Sequence, residues 1–158
     1  MGNIKILISC HKQSIVPDSE IMLPIEVGAD LRSKHIEGYI QDNSGDNISA
    51  KNKMYCELTA QYWAWKNLDA DYYGFFHYRR YLNFSENKYP LDSWQNITEE
   101  RLNDTCLKKY NLNDDCIRNL VETYDLVLSE EKNVAKMPDR NTSVYEPVSY
   151  THLRAQRP

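Results

Sequence analysis

The run His77-Tyr78-Arg79-Arg80 holds the residue types best suited to chemistry, directly after an apolar segment. An arginine guanidinium binds phosphate or carboxylate through two parallel hydrogen bonds. In open α/β sheets, ligands bind beyond the carboxyl ends of the strands, which is where this run is predicted to lie. Strand alternation continued through it would place His77 and Arg79 on one face, and Tyr78 and Arg80 on the other.

Purely structural roles for the same residues stay open. Either arginine could form an ion pair with Asp69, Asp71 or Glu57, and His77 could be a core histidine with satisfied hydrogen bonds. In those cases the run would stabilise the fold and bind nothing.

A second basic pair, His11-Lys12, follows the first apolar run of the chain. If the two strands are neighbours in a parallel sheet, His11, Lys12, His77 and one arginine converge on a single crevice. Four donors or cations around one crevice suit a pyrophosphate. A capping or packing role for His11 is the alternative.

Carboxylates offer a metal-binding hypothesis. Asp69-Ala70-Asp71 imitates the Asp-x-Asp motif with which many glycosyltransferases hold Mg²⁺ or Mn²⁺ on a sugar diphosphate. This pair, however, follows a predicted helix and precedes a strand, which is an ordinary turn setting. Asp42 and Asp46 lie in a polar loop and are further candidates, with solvation of the loop as the alternative.

Apolar runs lead into these sites and predict strands. Residues 4–9 and the segment that begins at Tyr72 are apolar on both faces, as central parallel strands are. Residues 21–27 contain Pro24, which predicts an edge strand or an extended segment. Residues 125–129 predict a further short strand.

Helices are predicted between these strands. Asn52 caps a helix that runs to residue 68 and is apolar around most of its circumference, which indicates burial. Residues 99–109 predict an exposed helix, and Asn113 caps another. The alternation of strands and helices predicts an α/β domain with a mostly parallel sheet.

Composition narrows the class of protein. The chain has 158 residues, 41% of them hydrophobic, which is typical of one globular domain. Its net charge of −4 argues against nucleic-acid binding, which needs a basic face. No signal peptide and no apolar run of membrane-spanning length is visible, so a cytoplasmic location is expected. The four cysteines fit no zinc spacing and are expected to be reduced, buried thiols.

The chain changes character after residue 146. Residues 1–146 are expected to form the N-terminal part of a domain that is cut short. Residues 147–158 resemble translated adapter DNA and are expected to be a non-native tail. No chemistry is therefore assigned to that tail.

Several strings taken together resemble one known family. They are Gly45-Asp46-Asn47-Ile48-Ser49, Asn52, Cys56-Glu57-Leu58-Thr59-Ala60, Tyr62-Trp63, Trp65-Lys66-Asn67, and Tyr73-Gly74 through His77-Tyr78-Arg79-Arg80-Tyr81. The family is a bacterial family of domains of unknown function, associated with capsular and exopolysaccharide biosynthesis and with glycosyltransferase activity. The resemblance covers residues 4–146. It implies a GT-A-like, Rossmann-like fold, and transfer of a sugar from a nucleotide-sugar donor to a glycan or lipid-linked glycan.

This resemblance distributes roles among the candidates. The donor-binding candidates are His11, Lys12, Asn47, Asn52, His77 and Tyr78, and the catalytic candidates are Arg79, Arg80, Asp46 and Glu57. Either arginine would stabilise the departing nucleoside diphosphate, and either acid would deprotonate the acceptor hydroxyl. Asp69 and Asp71 are the candidates for holding Mn²⁺ or Mg²⁺. An acceptor at the inner face of the cell membrane would bring peripheral membrane association.

A second hypothesis is a glycan- or nucleotide-binding module without catalysis, in which tyrosine and tryptophan side chains stack on sugars. Nucleotide dependence separates the two hypotheses, because a module that binds only glycans ignores nucleoside diphosphates.

Overall fold

A computed structural model describes residues 2–133 and Pro138. Its described part holds strands β1 (Ile4–Cys10), β2 (Met22–Glu26), β3 (Ile40–Gln41) and β4 (Tyr72–His77). The helices are α1 (Asn52–Tyr55), α2 (Leu58–Asn67), α3 (Asp104–Lys109) and α4 (Asp114–Val121). The strands form one sheet in the order β3-β2-β1-β4, and every pairing in it is parallel. The predicted α/β class with a mostly parallel sheet is confirmed.

Strand β1 lies in the interior of the sheet, between β2 and β4. Its residues are apolar on both faces because each face meets a separate core. Ile6 and Ile8 pack on one face with Ile117 of α4, and Leu7 packs on the other with Trp63 of α2. The register of β1 with β4 ends at Ser9 and His77, so the carboxyl ends of these strands are adjacent.

The prediction of an edge strand at residues 21–27 is wrong in part. Strand β2 is flanked on both sides, but β3 pairs only with Ile25 and Glu26. Pro24 precedes that short pairing and therefore faces a strand on one side alone. Because proline has no amide hydrogen to donate, it is tolerated where the ladder is open.

The single buried helix predicted from Asn52 to residue 68 is broken in two. Cys56 has φ 47° and ψ −126°, which ends α1 and starts α2 in a new direction. Burial is also incomplete, because Met54 is 79% and Trp65 is 68% exposed. The segment is apolar around most of its circumference because it is two helices with different directions and because some of its apolar side chains are exposed. The pattern does not indicate a single helix buried in the core.

Three further predictions meet different outcomes near the end of the described chain. The helix predicted from residue 99 begins at Asp104, where Asn103 caps it through Cys106 N. Asn113 caps α4 as predicted, by accepting from Cys116 N. The strand predicted at residues 125–129 is wrong: the segment forms no ladder, and Leu126 and Leu128 are 71% and 72% exposed. Among the described residues, no strand pairs with this apolar alternation.

The four cysteines are free thiols, as expected. Cys10 and Cys106 are buried, whereas Cys56 and Cys116 are half-buried. Burial raises the pKa of the Cys10 thiol to about 12, so this residue behaves as a small apolar side chain.

Candidate functional site

The adjacent carboxyl ends of β1 and β4 bring three rings together. The ring centroids of His11 and His77 are 6.3 Å apart, and those of His11 and Tyr78 are 5.1 Å apart in an edge-on arrangement. The Tyr78 hydroxyl lies 3.3 Å from His11 Nε2. His11 lies 66 positions before His77 and 67 before Tyr78 in the sequence. The parallel pairing of β1 with β4 brings these two segments together.

The chain reverses immediately after His77, and the alternation predicted through Arg80 is wrong. Arg80 N donates to His77 O at 2.7 Å, and His77 N donates to Arg80 O at 3.2 Å. Tyr78 and Arg79 are thus the central residues of a tight turn. Tyr78 is buried, Arg80 is half-buried and Arg79 is exposed. The turn, not the pleat of a strand, directs Arg79 outward.

Two cations flank Tyr78. Lys12 Nζ lies 5.8 Å and Arg79 Cζ lies 5.1 Å from the centroid of its ring. Throughout residues 2–133, no carboxylate lies within ion-pair distance of Arg79, so the structural alternative of an ion pair does not apply to it. Lys12 and Arg79 therefore present positive charge at the crevice where the two strands end.

His77 is buried on the side of the sheet that α2 covers. Its Nε2 lies 3.8 Å from Glu57 Oε1, and its Nδ1 accepts from Arg79 N at 3.2 Å. Because Nδ1 is an acceptor, the proton of the neutral ring resides on Nε2. Burial, followed by the charges of Arg80 and Arg79, lowers the pKa of His77 to about 4. At neutral pH His77 is therefore an uncharged donor directed toward Glu57.

Glu57 reaches His77 because of the break between α1 and α2. The Cys56 carbonyl accepts from Asn52 Nδ2 at 2.7 Å and from Thr59 Oγ1 at 3.0 Å. These bonds hold Cys56 in a conformation that non-glycine residues rarely adopt. Glu57 follows directly and begins α2 beside the end of β4.

One cation of the site escapes prediction from the sequence. Arg32 follows a short 3₁₀ turn after β2. The pKa of His11 is lowered first by its partial burial, then by the charge of Arg79, and then by the charge of Arg32. Arg32 Nε lies 3.3 Å from the buried carboxylate of Glu26. The sequence signal that could have indicated it was Glu26, an acid between Ile25 and Val27 at the carboxyl end of an apolar strand, which calls for a cationic partner.

A cavity of about 470 Å³ opens beside this cluster. The residues that line it include Lys12, Tyr78 and Arg79, the tyrosines Tyr81 and Tyr110, and the charged residues Glu99, Glu100 and Arg101. Its volume lies within the range of small-molecule pockets, about 300–1,000 Å³. The lining therefore combines apolar and aromatic side chains with three cations, Lys12, Arg79 and Arg101, and two carboxylates.

The side chains of three predicted site residues form hydrogen bonds that stabilise the local fold. Asn47 Nδ2 donates to Asn43 O and Gly45 O, so its amide shapes the loop. Asn52 holds the Cys56 carbonyl. Asp46 accepts from the Tyr62 hydroxyl at 3.0 Å and, through its backbone, pairs with Asn67 at the last turn of α2. Glu57, in contrast, precedes the first turn of this ten-residue helix, so the two acids contact different parts of it.

The candidate metal ligands lie at the wrong end of the sheet for this crevice. Asp71 Oδ2 accepts from Asn3 N at 2.7 Å, before β4 begins, while Asp69 O accepts from Asn3 Nδ2. The length of β4, about 20 Å, separates them from His77. Asp42 is fully buried and accepts from Gly28 N and Ala29 N. Within the described ranges, no group of three or more His, Cys, Asp or Glu side chains could hold a metal ion.

Comparison with known proteins places the chain in a family. A family model described as a domain of unknown function, DUF4422, matches residues 5–156. The chain belongs to the DUF4422 family. The match runs past residue 146, where the domain was expected to end, and residues 147–158 lie outside the described part of the structure.

This DUF4422 chain is similar in structure to WbbM, a bifunctional glycosyltransferase solved in its apo form, with a TM-score of 0.80 and 41% sequence identity. The similarity covers 84% of this chain and 24% of the WbbM chain, so the DUF4422 chain spans about a quarter of that protein. No curated protein matches the chain. None of the helices in the described segments is long and apolar enough to cross a membrane.

Proposed function

We propose that this DUF4422 domain transfers a sugar from a nucleotide-sugar donor to a glycan, and that it binds the donor diphosphate where β1 and β4 end. The observation that carries the proposal is the convergence of His11, Lys12, His77 and Arg79 on one crevice. The 41% identity to a bifunctional glycosyltransferase supports this class of reaction. Capsular or exopolysaccharide chains, free or lipid-linked, are the proposed acceptors.

Arg79 and Lys12 supply the positive charge for the diphosphate. Each approaches Tyr78 from outside the sheet and is exposed, so a ligand can reach both. As the sugar departs, negative charge grows on the nucleoside diphosphate, and a preorganised guanidinium stabilises it. Loss of one such contact typically costs about 10²–10³ in rate.

Glu57 is the proposed base for the acceptor hydroxyl. Its side chain is 16% exposed and faces the Nε2–H of His77 at 3.8 Å. The neutral ring can donate to Glu57 or to a phosphate oxygen, so it orients without adding charge. Asp46, the other candidate acid, lies at the far end of α2, and Arg80 is half-buried whereas Arg79 is exposed. The proposal therefore assigns catalysis to Arg79 and Glu57.

The donor set at the crevice does not fit Mg²⁺ or Mn²⁺. These ions require several oxygen ligands. Where β1 and β4 end, the described residues offer cations, imidazoles and the carboxylate of Glu57. Glu99 and Glu100 line the adjoining cavity, where Glu99 is paired with Lys109, and no cluster of three or more metal ligands forms among the described residues. Asp69 and Asp71 lie at the opposite end of the sheet, where the Asp71 carboxylate and the Asp69 backbone carbonyl accept from Asn3. Charge neutralisation is therefore assigned to Arg79 and Lys12.

Thermal unfolding with uridine, guanosine and cytidine diphosphates, each with and without Mn²⁺, tests the proposal. A ligand at a hundred times its dissociation constant adds about 2.7 kcal/mol to the free energy of unfolding. We expect one nucleotide to raise the Tm of the wild-type chain. Arg79→Ala should abolish that shift, while Lys108→Ala, which removes the same charge from an exposed position outside the cavity, should keep it.

Two results would count against the proposal. A cooperative melt that no nucleotide moves would favour a glycan-binding module without catalysis. A nucleotide shift that persists in Arg79→Ala would show that the donor binds elsewhere.

A further inference from the structure

Glu26 is a fully buried acid at the carboxyl end of β2, in register with Cys10 of β1. Its Oε2 accepts from Ile36 N at 3.1 Å and lies 3.2 Å from His35 Nδ1. Its Oε1 accepts no well-directed hydrogen bond from any described residue, and Arg32 Nε lies 3.3 Å away. A buried carboxylate is costly to the fold unless it is paired, so the arrangement depends on Arg32.

The pairing fixes the orientation of Arg32. Glu26 engages Nε, the side of the guanidinium, and the side chain of Arg32 remains 33% exposed. Among the described residues, no other acceptor bonds to this guanidinium. Its two terminal nitrogens are therefore available as a fork for a bidentate anion.

The segment that carries Arg32 is itself rigid. The 3₁₀ turn Ala29–Leu31 ends at Arg32, whose N donates to Ala29 O. Buried Asp42 accepts from Gly28 N and Ala29 N at the start of this turn. Gly28 has φ +68°, and a Cβ there would come within 2.8 Å of the Asn52 side chain. The backbone thus approaches α1 as closely as only glycine permits.

Topology places Arg32 at the same crevice as Arg79. In the sheet, β1 lies between β2 and β4. Arg32 is anchored at the end of β2, Arg79 follows the end of β4, and His11 follows the end of β1 between them. The proximity of Arg32 to His11 is also seen in its contribution to lowering the pKa of His11.

We propose that Arg32, positioned by the buried carboxylate of Glu26, is a further ligand of the donor diphosphate and binds it opposite Arg79 across His11. This inference rests on the proposed function, because it names an additional contact within the same site. In this arrangement the diphosphate is bound by Arg32, Lys12 and Arg79, which follow the carboxyl ends of β2, β1 and β4.

Calorimetric titration with the nucleoside diphosphate that the wild type binds, and with the matching nucleoside, tests the proposal. Arg32→Gln should weaken diphosphate binding about tenfold or more, as expected for a lost charge-assisted hydrogen bond, and should leave nucleoside binding unchanged. Lys34→Gln is the matched control, since it removes an exposed cation two residues away. It should bind the diphosphate as the wild type does.

The role of Glu26 requires separate variants. Glu26→Gln should weaken diphosphate binding without changing nucleoside binding, because a neutral amide holds Arg32 less firmly. In the double variant Glu26→Gln with Arg32→Gln, we expect no loss beyond that of Arg32→Gln alone, since both changes remove one interaction. Arg32→Lys keeps a cation beside Glu26 and should give an intermediate affinity, which covers the case in which Arg32→Gln fails to fold.

The outcomes separate this inference from the proposed function. Suppose that Arg32→Gln binds the diphosphate within twofold of the wild type while Arg79→Ala does not bind it. Arg32 is then not a ligand, but the proposed donor site is retained. If Arg32→Gln does not fold, Arg32→Lys is judged by the same criterion. If the wild type binds no nucleoside diphosphate, the proposed function is wrong and this inference with it. Additive losses in the double variant would overturn the positioning role of Glu26.

Discussion

At the scale of single residues, His77 shows how surroundings select one function from several. A histidine can act as base, acid, cation or neutral donor. Here the Arg79 amide occupies Nδ1, burial and nearby arginines keep the ring neutral, and Nε2–H points to Glu57. The ring is therefore suited to orient Glu57 or a phosphate oxygen and not to take a proton itself.

The lowered pKa of His77 predicts a pH-dependent stability. The pKa is about 4 in the folded chain and about 6.5 in an unfolded chain, so unfolding takes up a proton between these values. The contribution of His77 to stability is complete above pH 6.5 and is lost as the pH falls toward 4. Between pH 7 and 4.5 we expect the free energy of unfolding to fall by roughly 2–3 kcal/mol on this account.

Urea unfolding at a series of pH values measures this effect, with His77→Gln as the comparison. Glutamine has no group that titrates in the range, so the variant should lose less stability on acidification than the wild type. Equal losses in both proteins would show that other groups carry the pH dependence.

At the scale of secondary-structure elements, the break at Cys56 decides where Glu57 lies. Cys56 adopts a positive φ of 47° between α1 and α2, and Asn52 and Thr59 hold its carbonyl. Backbone strain of this kind costs about 1–3 kcal/mol and persists only where neighbours enforce it. Glu57 stands directly after this break, at the start of α2 and 3.8 Å from His77, so the strained residue lies next to the site.

Cys56→Gly should relieve this strain. Glycine adopts positive φ readily but loses about 0.5–1 kcal/mol through the greater entropy of its unfolded chain. We therefore expect a net gain of about 1 kcal/mol in the free energy of unfolding, measured by urea denaturation.

Met54→Gly is the matched control. Met54 is 79% exposed within α1, where its backbone is helical, so glycine should destabilise the protein by up to about 1 kcal/mol. If both variants lose stability equally, Cys56 is not strained.

At the scale of the whole molecule, two cores hold the sheet from opposite faces. The face toward α2 is closed by Trp63, which is 7% exposed and donates from Nε1 to Ser44 O at 3.0 Å. Trp65, two residues along the same helix, is 68% exposed. One helix thus presents one tryptophan to the core and one to solvent.

This contrast predicts unequal effects of truncation. Trp63→Ala should lower the free energy of unfolding by roughly 3–5 kcal/mol, as large core truncations do. Trp65→Ala should cost less than about 1 kcal/mol, since its ring is mostly exposed and contacts Lys66 Nζ and the Tyr62 ring at the surface of the helix. Denaturant unfolding of the two variants measures the difference. Similar losses would mean that α2 packs on the sheet through another face.

Patterns local in sequence were sufficient for much of the fold. Apolar runs identified β1 and β4, and the cap at Asn113 identified the start of α4, because periodicity and capping involve neighbouring residues. The class of sheet followed from the order of elements, and the predicted convergence of His11 and His77 needed only one assumption, that β1 and β4 are neighbours.

Partners distant in sequence were not readable in this way. The strand predicted at residues 125–129 failed because no strand of the described chain pairs with it, and no local pattern reports that. Likewise, Asp46 and Glu57 are both carboxylates that the sequence could not rank as candidate bases. In the structure, Asp46 pairs with Asn67 at the last turn of α2, whereas Glu57 lies at the start of that helix beside His77.

The sequence by itself therefore determined the α/β class, the principal strands, and the basic residues that follow β1 and β4. Only the tertiary structure decided which of those residues share a crevice, that Cys56 turns Glu57 toward His77, and that Glu26 holds Arg32 beside them. The physical reason is that strand and helix signals arise from the periodicity of nearby side chains. The site depends instead on parallel pairing and buried ion pairs, which are settled only when the chain packs.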